Sequence, residues 1–96
     1  ERPTAVFTFN DAIALGVIKA VTEKKLRIPE DVSVIGFGDL NFSEAIGITT
    51  LRQSTDEIGE LSAKILFDKI GSEGCMPTQK VVLETELIIR KSTGAI

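Results

Sequence analysis

The 96-residue sequence contains no histidine and a single cysteine, Cys75. One cysteine cannot form an internal disulfide, which fits a reducing compartment. Without histidine, a structural zinc site would depend on carboxylates, which match the usual nitrogen and sulfur ligand sets poorly. The serines also lack a histidine base and a Gly-x-Ser-x-Gly turn, so no activated nucleophile can be assembled. We therefore predict no metal, no cofactor and no enzymatic activity.

An excess of basic residues and a long apolar run are also missing. Eleven Lys and Arg against fourteen Asp and Glu give a net charge of −3, the opposite of the basic surface with which proteins neutralise nucleic-acid phosphates. No segment approaches the roughly 20 apolar residues that span a bilayer, and residues 1–4 contain no apolar targeting segment. The sequence predicts a soluble chain without membrane contacts and without direct contact to DNA. Its length and its 43% hydrophobic content suit one small domain.

The first 37 residues predict a βαβ unit. Residues 5–9 form an uncharged apolar run, typical of a strand covered on both faces. Residues 11–25 carry apolar side chains at helical spacing, and Asn10 and Asp11 at the junction can accept hydrogen bonds from free helix N–H groups. After a connector that contains Pro29, residues 32–37 form a second apolar strand, which we expect to lie parallel to the first.

The remaining elements are predicted from shorter signals. Residues 39–46 suggest a short helix that Asp39 or Asn41 caps and Gly47 ends, and residues 48–53 suggest a third strand. The Ser54-x-x-Glu57 spacing indicates a capping box at the start of a second helix over residues 55–70. Residues 71–77 read as a loop, and the alternation over residues 80–90 predicts one long bent strand or two short ones. The tail, residues 91–96, carries no clear signal.

Polar residues follow each of the three predicted parallel strands, at Asn10-Asp11, Gly38-Asp39 and Arg52-Gln53. The carboxyl ends of parallel strands meet at one edge of a sheet, where open α/β sheets bind ligands. Amide and carboxylate groups placed there suit the paired hydroxyls of a sugar or another polyol. Two simpler interpretations remain open, since Asn10 and Asp11 are also ordinary helix-capping residues and Arg52 could be merely solvated.

Five apolar residues lie on the first helix and in the segment after the second strand, and one small sheet cannot bury all of them. They are Leu15, Ile18, Leu40, Phe42 and Ile46. Either they pack on one another, or they contact another subunit or a part of the chain that is not present.

The order of these motifs resembles the effector-binding domain of LacI/GalR transcription regulators. Five segments carry the resemblance, namely residues 3–7, 10–16, 28–37, 49–53 and 86–93. Each segment is a weak signal by itself, but together they cover almost the whole chain in the family's order and spacing.

The resemblance implies a periplasmic-binding-protein-like α/β fold with parallel-sheet βαβ layers, in which a small molecule such as a sugar binds between two lobes. This chain is then an incomplete, C-terminal portion of the domain: about 1–53 belongs to the C-terminal lobe, and about 54–96 is shared with the N-terminal lobe. Together with the polar residues at the strand ends, the resemblance leads us to predict Asn10, Asp39, Gln53 and Asp11 as effector-binding residues. Gly38 stands where the family commonly has an acidic residue, so the usual carboxylate contact is in question.

The same resemblance implies a cytoplasmic homodimer whose interface contains Leu15, Ile18, Leu40, Phe42 and Ile46. Operator DNA would be contacted only through an N-terminal helix-turn-helix that this chain lacks. Two rival functions remain: a periplasmic-type sugar-binding protein of a transporter, and an enzyme that uses Asp11 and Asp39 as a carboxylate pair. An upstream helix-turn-helix in the gene would support the regulator, and a signal peptide the transport protein.

Overall fold

In a computed structural model, residues 1–73 and 75–95 are described, and the chain divides into two units. Unit 1 comprises residues 1–53 together with the segment from Glu86, and unit 2 comprises Ser54–Thr85. The elements follow the order β1 (Ala5–Phe7), α1 (Asp11–Glu23), β2 (Ser33–Ile35), α2 (Ser43–Ile46), β3 (Thr50–Arg52), α3 (Thr55–Gly71) and β4 (Glu86–Ile88). The predicted α/β class and the parallel βαβ unit are confirmed.

Unit 1 contains two small sheets that one parallel bridge joins. β1 pairs in parallel with β2, with Val6 opposite Val34, and β3 pairs antiparallel with β4. Ile35 bridges to Thr49 in parallel, and the N–H of Gly38 donates to the carbonyl of Leu51 at 2.8 Å. As expected, the carboxyl ends of β1, β2 and β3 therefore point to the same edge.

The core of unit 1 lies between α1 and the first sheet. Ala14, Val32, Val34 and Ile48 are buried there. Partly buried side chains that surround them are Val6, Val17, Ile18, Val21, Leu26, Ile28, Phe42 and Ile46. The expectation that β1 is covered on both faces is wrong, because Phe7 is 64% exposed. Among the described residues, β1 pairs on one side only, so its outer edge and part of its faces remain open.

The segment after β4, which carried no structural signal in the sequence, closes the core of unit 1. The Ser92 hydroxyl is buried, donates to the carbonyl of Val34 at 2.6 Å and accepts from the N–H of Thr49 at 2.8 Å. The N–H of Val34 in turn donates to the carbonyl of Ser92 at 2.8 Å. Residues about 40 to 60 positions apart are thus joined where β2 meets the start of β3.

Three local predictions are wrong. α2 begins at Ser43 after Phe42, so neither Asp39 nor Asn41 caps it, although Gly47 ends it in a left-handed conformation as predicted. Ser54 precedes α3 but makes no side-chain capping bond, so the predicted capping box is not formed. The alternating segment 80–90 is a strand only over Glu86–Ile88, where it pairs antiparallel with Thr50–Arg52.

Unit 2 consists of α3 and the segment that follows it. α3 covers the predicted helix, but none of its residues is buried, and Leu66, Phe67 and Ile70 are each more than half exposed. Of the predicted loop over residues 71–77, Gly71 still belongs to α3, the described residues that follow have no regular structure, and Gly74 lies outside the described residues. Within residues 1–73 and 75–95, no helix is both long and apolar enough to cross a membrane.

Candidate ligand-binding site

A pocket of about 750 Å³ lies in unit 1 at the edge where β1, β2 and β3 end. We call it the strand-end pocket. Its lining residues are Phe7, Thr8, Phe9, Asn10, Phe37, Gly38, Leu40 and Gln53. Two of the four predicted ligand contacts, Asn10 and Gln53, are brought together here, and they come from opposite ends of the first half of the chain.

Asn10 both caps α1 and lines the pocket. Its backbone is extended, and its Oδ1 accepts from the N–H of Ile13 at 2.8 Å, which satisfies one free donor of the first helical turn. The cap uses the carbonyl oxygen of the amide, so the two N–H donors of the same group are not consumed by it. The structural and the ligand-binding interpretation of Asn10 are therefore compatible.

Thr8 fixes the end of β1 behind Asn10. Its hydroxyl lies 2.9 Å from the carbonyl oxygen of Asn10 and 3.0 Å from that of Ile35. The backbone N–H of Asp11 also donates to the carbonyl of Phe37 at 3.1 Å. These bonds hold the turn after β1 against the end of β2, so the position of Asn10 is set by the sheet.

Apolar side chains, three phenylalanines and one leucine, form half of the residues that line the pocket, and they were not among the predicted effector-binding residues. Phe7 and Phe9 lie two residues apart at the end of β1, Phe37 follows β2, and Leu40 lies in the loop before α2. Phe9 is 84% exposed, far more than a core phenylalanine. The period-two spacing of Phe7 and Phe9 places both side chains on one face of an extended segment, which is the sequence signal for this wall.

Gly38 contributes backbone and open space to the pocket. Its φ is +115°, which favours glycine, and a Cβ at this position would meet no atom within 4 Å. Gly38 therefore leaves unfilled volume where a side chain would stand, and no lining residue of the strand-end pocket carries a formal charge.

Asp39 lies next to Gly38, but its carboxylate binds two arginines of unit 1. Nη1 of Arg90 donates to Oδ1 and Nε of Arg52 donates to Oδ2, both at 2.8 Å. The side chains of Asp39 and Arg90 are each 12% exposed, whereas that of Arg52 is 50% exposed. The hydrogen bond from Arg90 lowers the pKa of Asp39, burial opposes this, and the bond from Arg52 adds to the lowering. Asp39 is not among the residues that line the pocket.

Asp11 is fully buried in the first turn of α1 and does not line the pocket either. Its Oδ1 accepts from the hydroxyl of Thr50 at 2.7 Å, and its Oδ2 accepts from the hydroxyl of Ser43 and from the N–H of Leu40 at 3.1 Å. With Asp11 satisfied by the protein and Asp39 held by arginines, the two carboxylates do not form an acid–base pair open to the pocket.

The predicted dimer residues have different environments. Ile18, Phe42 and Ile46 pack partly buried against the core, which corresponds to the simpler of the two interpretations left open by the sequence. Leu15 is 40% exposed on α1, and Leu40 is 43% exposed and lines the strand-end pocket.

Comparison with known proteins gives a consistent family. The model of the periplasmic binding protein-like domain matches residues 1–93. The HTH-type transcriptional repressor PurR of Haemophilus influenzae (strain PittEE) is 44% identical over the whole chain, and PurR of Mannheimia succiniciproducens is 42% identical. The chain spans about 30% of the length of these curated relatives.

Solved structures agree in fold. A lac repressor dimer bound to operator and the anti-inducer ONPF matches 97% of this chain and 32% of its own, with 34% identity and a TM-score of 0.85. A LacI family regulator from Enterococcus faecium with bound ribose matches 100% of this chain and 36% of its own, with 34% identity and a TM-score of 0.84. A complex of the regulator CelR with cellobiose has the same identity and TM-score, over 93% of this chain and 28% of its own.

Proposed function

The chain belongs to the family of periplasmic binding protein-like domains in the form carried by LacI-family regulators, and we propose that it supplies one wall of the effector site of a transcriptional repressor. The strand-end pocket is the observation that carries this proposal. It lies at the carboxyl ends of parallel strands and combines three phenylalanines with the amides of Asn10 and Gln53.

We propose a neutral sugar or a similar polyol as the ligand. The amides of Asn10 and Gln53 can donate to and accept from neighbouring hydroxyls, and the rings of Phe7, Phe9 and Phe37 offer an apolar surface. The absence of a charged side chain among the lining residues favours an uncharged ligand, because a buried charge without a partner is costly. Ribose and cellobiose bound to two structural relatives support the same chemical class.

Regulation then requires only that the ligand bind two arrangements of the domain with different affinities. We propose that the protein acts in the cytoplasm as a homodimer and binds operator DNA through a helix-turn-helix outside this segment. Leu15, exposed on α1, is our candidate dimer contact, whereas Leu40 is assigned to the pocket and Ile18, Phe42 and Ile46 to the core. We include Asn10 and Gln53 as ligand contacts, and we leave out Asp11 and Asp39.

The decisive experiment is calorimetric titration of the full-length protein with neutral sugars, including D-ribose and cellobiose, and with nucleosides. We expect one neutral sugar to bind and to change the affinity for operator DNA in a gel-shift assay. Binding of a sugar without any operator binding would instead favour the alternative, a sugar-binding protein of a transporter. Failure of every neutral sugar to bind would contradict the proposed ligand class.

Asn10→Ala tests the assigned contact. We expect the affinity for the bound sugar to fall at least tenfold, about 1.4 kcal/mol, because the amide is lost from the pocket. Asn10→Ser is the matched control, since serine also caps helices but lacks the amide N–H donors. It should retain the stability of the parent and still bind the sugar weakly, and parental affinity in both variants would remove Asn10 from the site.

A further inference from the structure

The carboxylate of Asp11 connects the start of α1 to three later parts of unit 1. The donors are the N–H of Leu40 in the loop after β2, the hydroxyl of Ser43 at the start of α2, and the hydroxyl of Thr50 at the start of β3. They lie 29, 32 and 39 residues further along the chain. Asp11 is fully buried, so these protein groups replace the water that a carboxylate otherwise needs.

Three of the connected segments contribute to the lining of the strand-end pocket, whereas α2 does not. Asn10 immediately precedes Asp11, Leu40 is itself a lining residue, and Gln53 directly follows the strand that begins at Thr50. The Thr50 hydroxyl also accepts from the N–H of Asp39 at 3.3 Å, one residue after Gly38. A shift of the Asp11 carboxylate would therefore change the positions of the Asn10 and Gln53 amides relative to the Leu40 side chain.

The space around Asp11 leaves little freedom for such a shift. A Cβ added to the buried Gly36, at the end of β2, would collide with Oδ1 of Asp11. Asparagine has nearly the same shape but only one acceptor oxygen, so it cannot accept from all three donors. In Asp11→Asn the N–H2 group that replaces the second oxygen cannot accept, so the donor on that side must reverse its hydrogen bond or lose it, with little change of volume.

We propose that Asp11 is a positioning residue of the effector pocket, which sets ligand affinity by holding the Asn10 and Leu40 walls at a fixed separation and does not touch the ligand. This inference rests on the proposed function of the strand-end pocket. It assigns to Asp11 a role in place of the direct contact predicted from the sequence.

The test compares Asp11→Asn with Ser92→Ala in the full-length protein. Both variants remove buried hydrogen bonds of unit 1, but Ser92 bonds Val34 and Thr49 and does not line the strand-end pocket. Two quantities are measured at a temperature at which both variants are folded: hydrogen exchange of the Leu40 amide, and affinity for D-ribose by calorimetry. We expect at least tenfold faster exchange and at least tenfold weaker binding in Asp11→Asn than in Ser92→Ala.

The two measurements separate the two proposals. Hydrogen exchange uses no ligand, so a parent protein that fails to bind D-ribose counts against ribose as ligand, and Leu40 exchange still decides the positioning role. Equal exchange and equal affinity in the two variants would overturn that role. Should Asp11→Asn not fold, Ser43→Ala removes one of the donors, with Ser54→Ala as control, because the Ser54 side chain makes no capping bond. The same ordering of exchange and affinity is expected, and its absence overturns the inference.

Discussion

At the scale of single residues, unit 1 divides its two central carboxylates between different tasks. Asp11 has no solvent exposure and uses only neutral donors, whereas Asp39 binds two cationic side chains near the surface. Arg90 matters more than Arg52 for this cluster, since its side chain is 12% exposed and it also donates to the carbonyl of Ile48 at 3.0 Å. Bonds shielded from water and shared with the backbone contribute more than exposed ion pairs.

The lowered pKa of Asp39 predicts an acid-dependent loss of stability. Because the folded-state pKa lies below the unfolded value of about 4, the stabilisation is complete above that pH and fades as the pH falls towards the folded-state pKa. Asp39→Asn should cost about 1–3 kcal/mol at pH 7 and less in acid. Urea denaturation at pH 7 and near pH 3 measures both values.

Asp31 is the control for this profile, because hydrogen bonds from Arg27 lower its pKa to about 2 at the surface. Asp31→Asn should also reduce the dependence of the free energy of unfolding on pH in acid. Its loss of stability at pH 7 should be smaller, since exposed ion pairs are weak. If the loss in Asp39→Asn were the same at both pH values, the ion cluster would not be its cause.

Gly36 gives a second prediction at this scale. Gly36→Ala should lower the free energy of unfolding by about 1–3 kcal/mol, because the added methyl group overlaps the buried Asp11 carboxylate. Gly16→Ala is the matched control: Gly16 lies exposed within α1 and has free space, so alanine should stabilise by about 0.5–1 kcal/mol. Thermal unfolding of both variants should show a lower melting temperature for Gly36→Ala and a higher one for Gly16→Ala. Equal changes would contradict the proposed overlap with Asp11.

At the scale of elements, the two long helices were the most predictable parts, whereas the bounds of α2 and β4 were the least. α1 and α3 follow from apolar spacing, and their observed bounds differ from the predicted ones by at most two residues. The strands are shorter than their apolar runs, since a strand extends only as far as its partner supplies bonds. β4 illustrates this, because its alternating pattern is longer than the three residues of β3.

The candidate site could be predicted in part for the same reason. Parallel strands bring their ends together, so Asn10, Gly38 and Gln53 were correctly grouped from sequence, and they line one pocket. The bonds of Asp11 and Asp39 could not be foreseen, because their partners lie 11 to 51 residues away and no local pattern marks them. Ser92 was missed for the same cause.

Ser92 provides the prediction at this scale. Ser92→Ala should lower the free energy of unfolding by about 1–3 kcal/mol, since it leaves the buried Val34 carbonyl and Thr49 N–H without this partner. Ser54→Ala should change stability far less, because Ser54 makes no capping bond. Chemical denaturation of both variants measures their free energies of unfolding. Similar losses of stability would refute the assigned role of Ser92.

At the scale of the whole molecule, large apolar side chains remain exposed in both units. Leu15 is 40% exposed in unit 1, and Leu66 and Phe67 of α3 are 58% and 71% exposed in unit 2. Isolated exposed leucines are common. A helix with no buried residue, however, needs a packing partner to offset the conformational entropy that it loses on folding. We expect these surfaces to be covered by another copy or by other parts of the full-length protein.

Leu15→Lys tests the dimer contact proposed for α1. In sedimentation experiments on the full-length protein, the dimer should dissociate at a concentration at least tenfold higher than in the parent, because the lysine charge loses water at the interface. Gln79→Lys is the control with the same added charge at an exposed polar position of unit 2. Parental dissociation of Leu15→Lys would exclude Leu15 from the interface, and an equal shift in both variants would show an effect of charge alone.

The junction at Ser92 also determines the order in which the chain can fold. Its hydroxyl bridges Val34 and Thr49, which are synthesised 58 and 43 residues earlier. During translation, β1, α1 and β2 can approach one another at once, but the β2 carbonyl of Val34 waits for its partner until residue 92 leaves the ribosome. Long-range closures of this kind slow folding, so unit 1 is completed late in the synthesis of this segment.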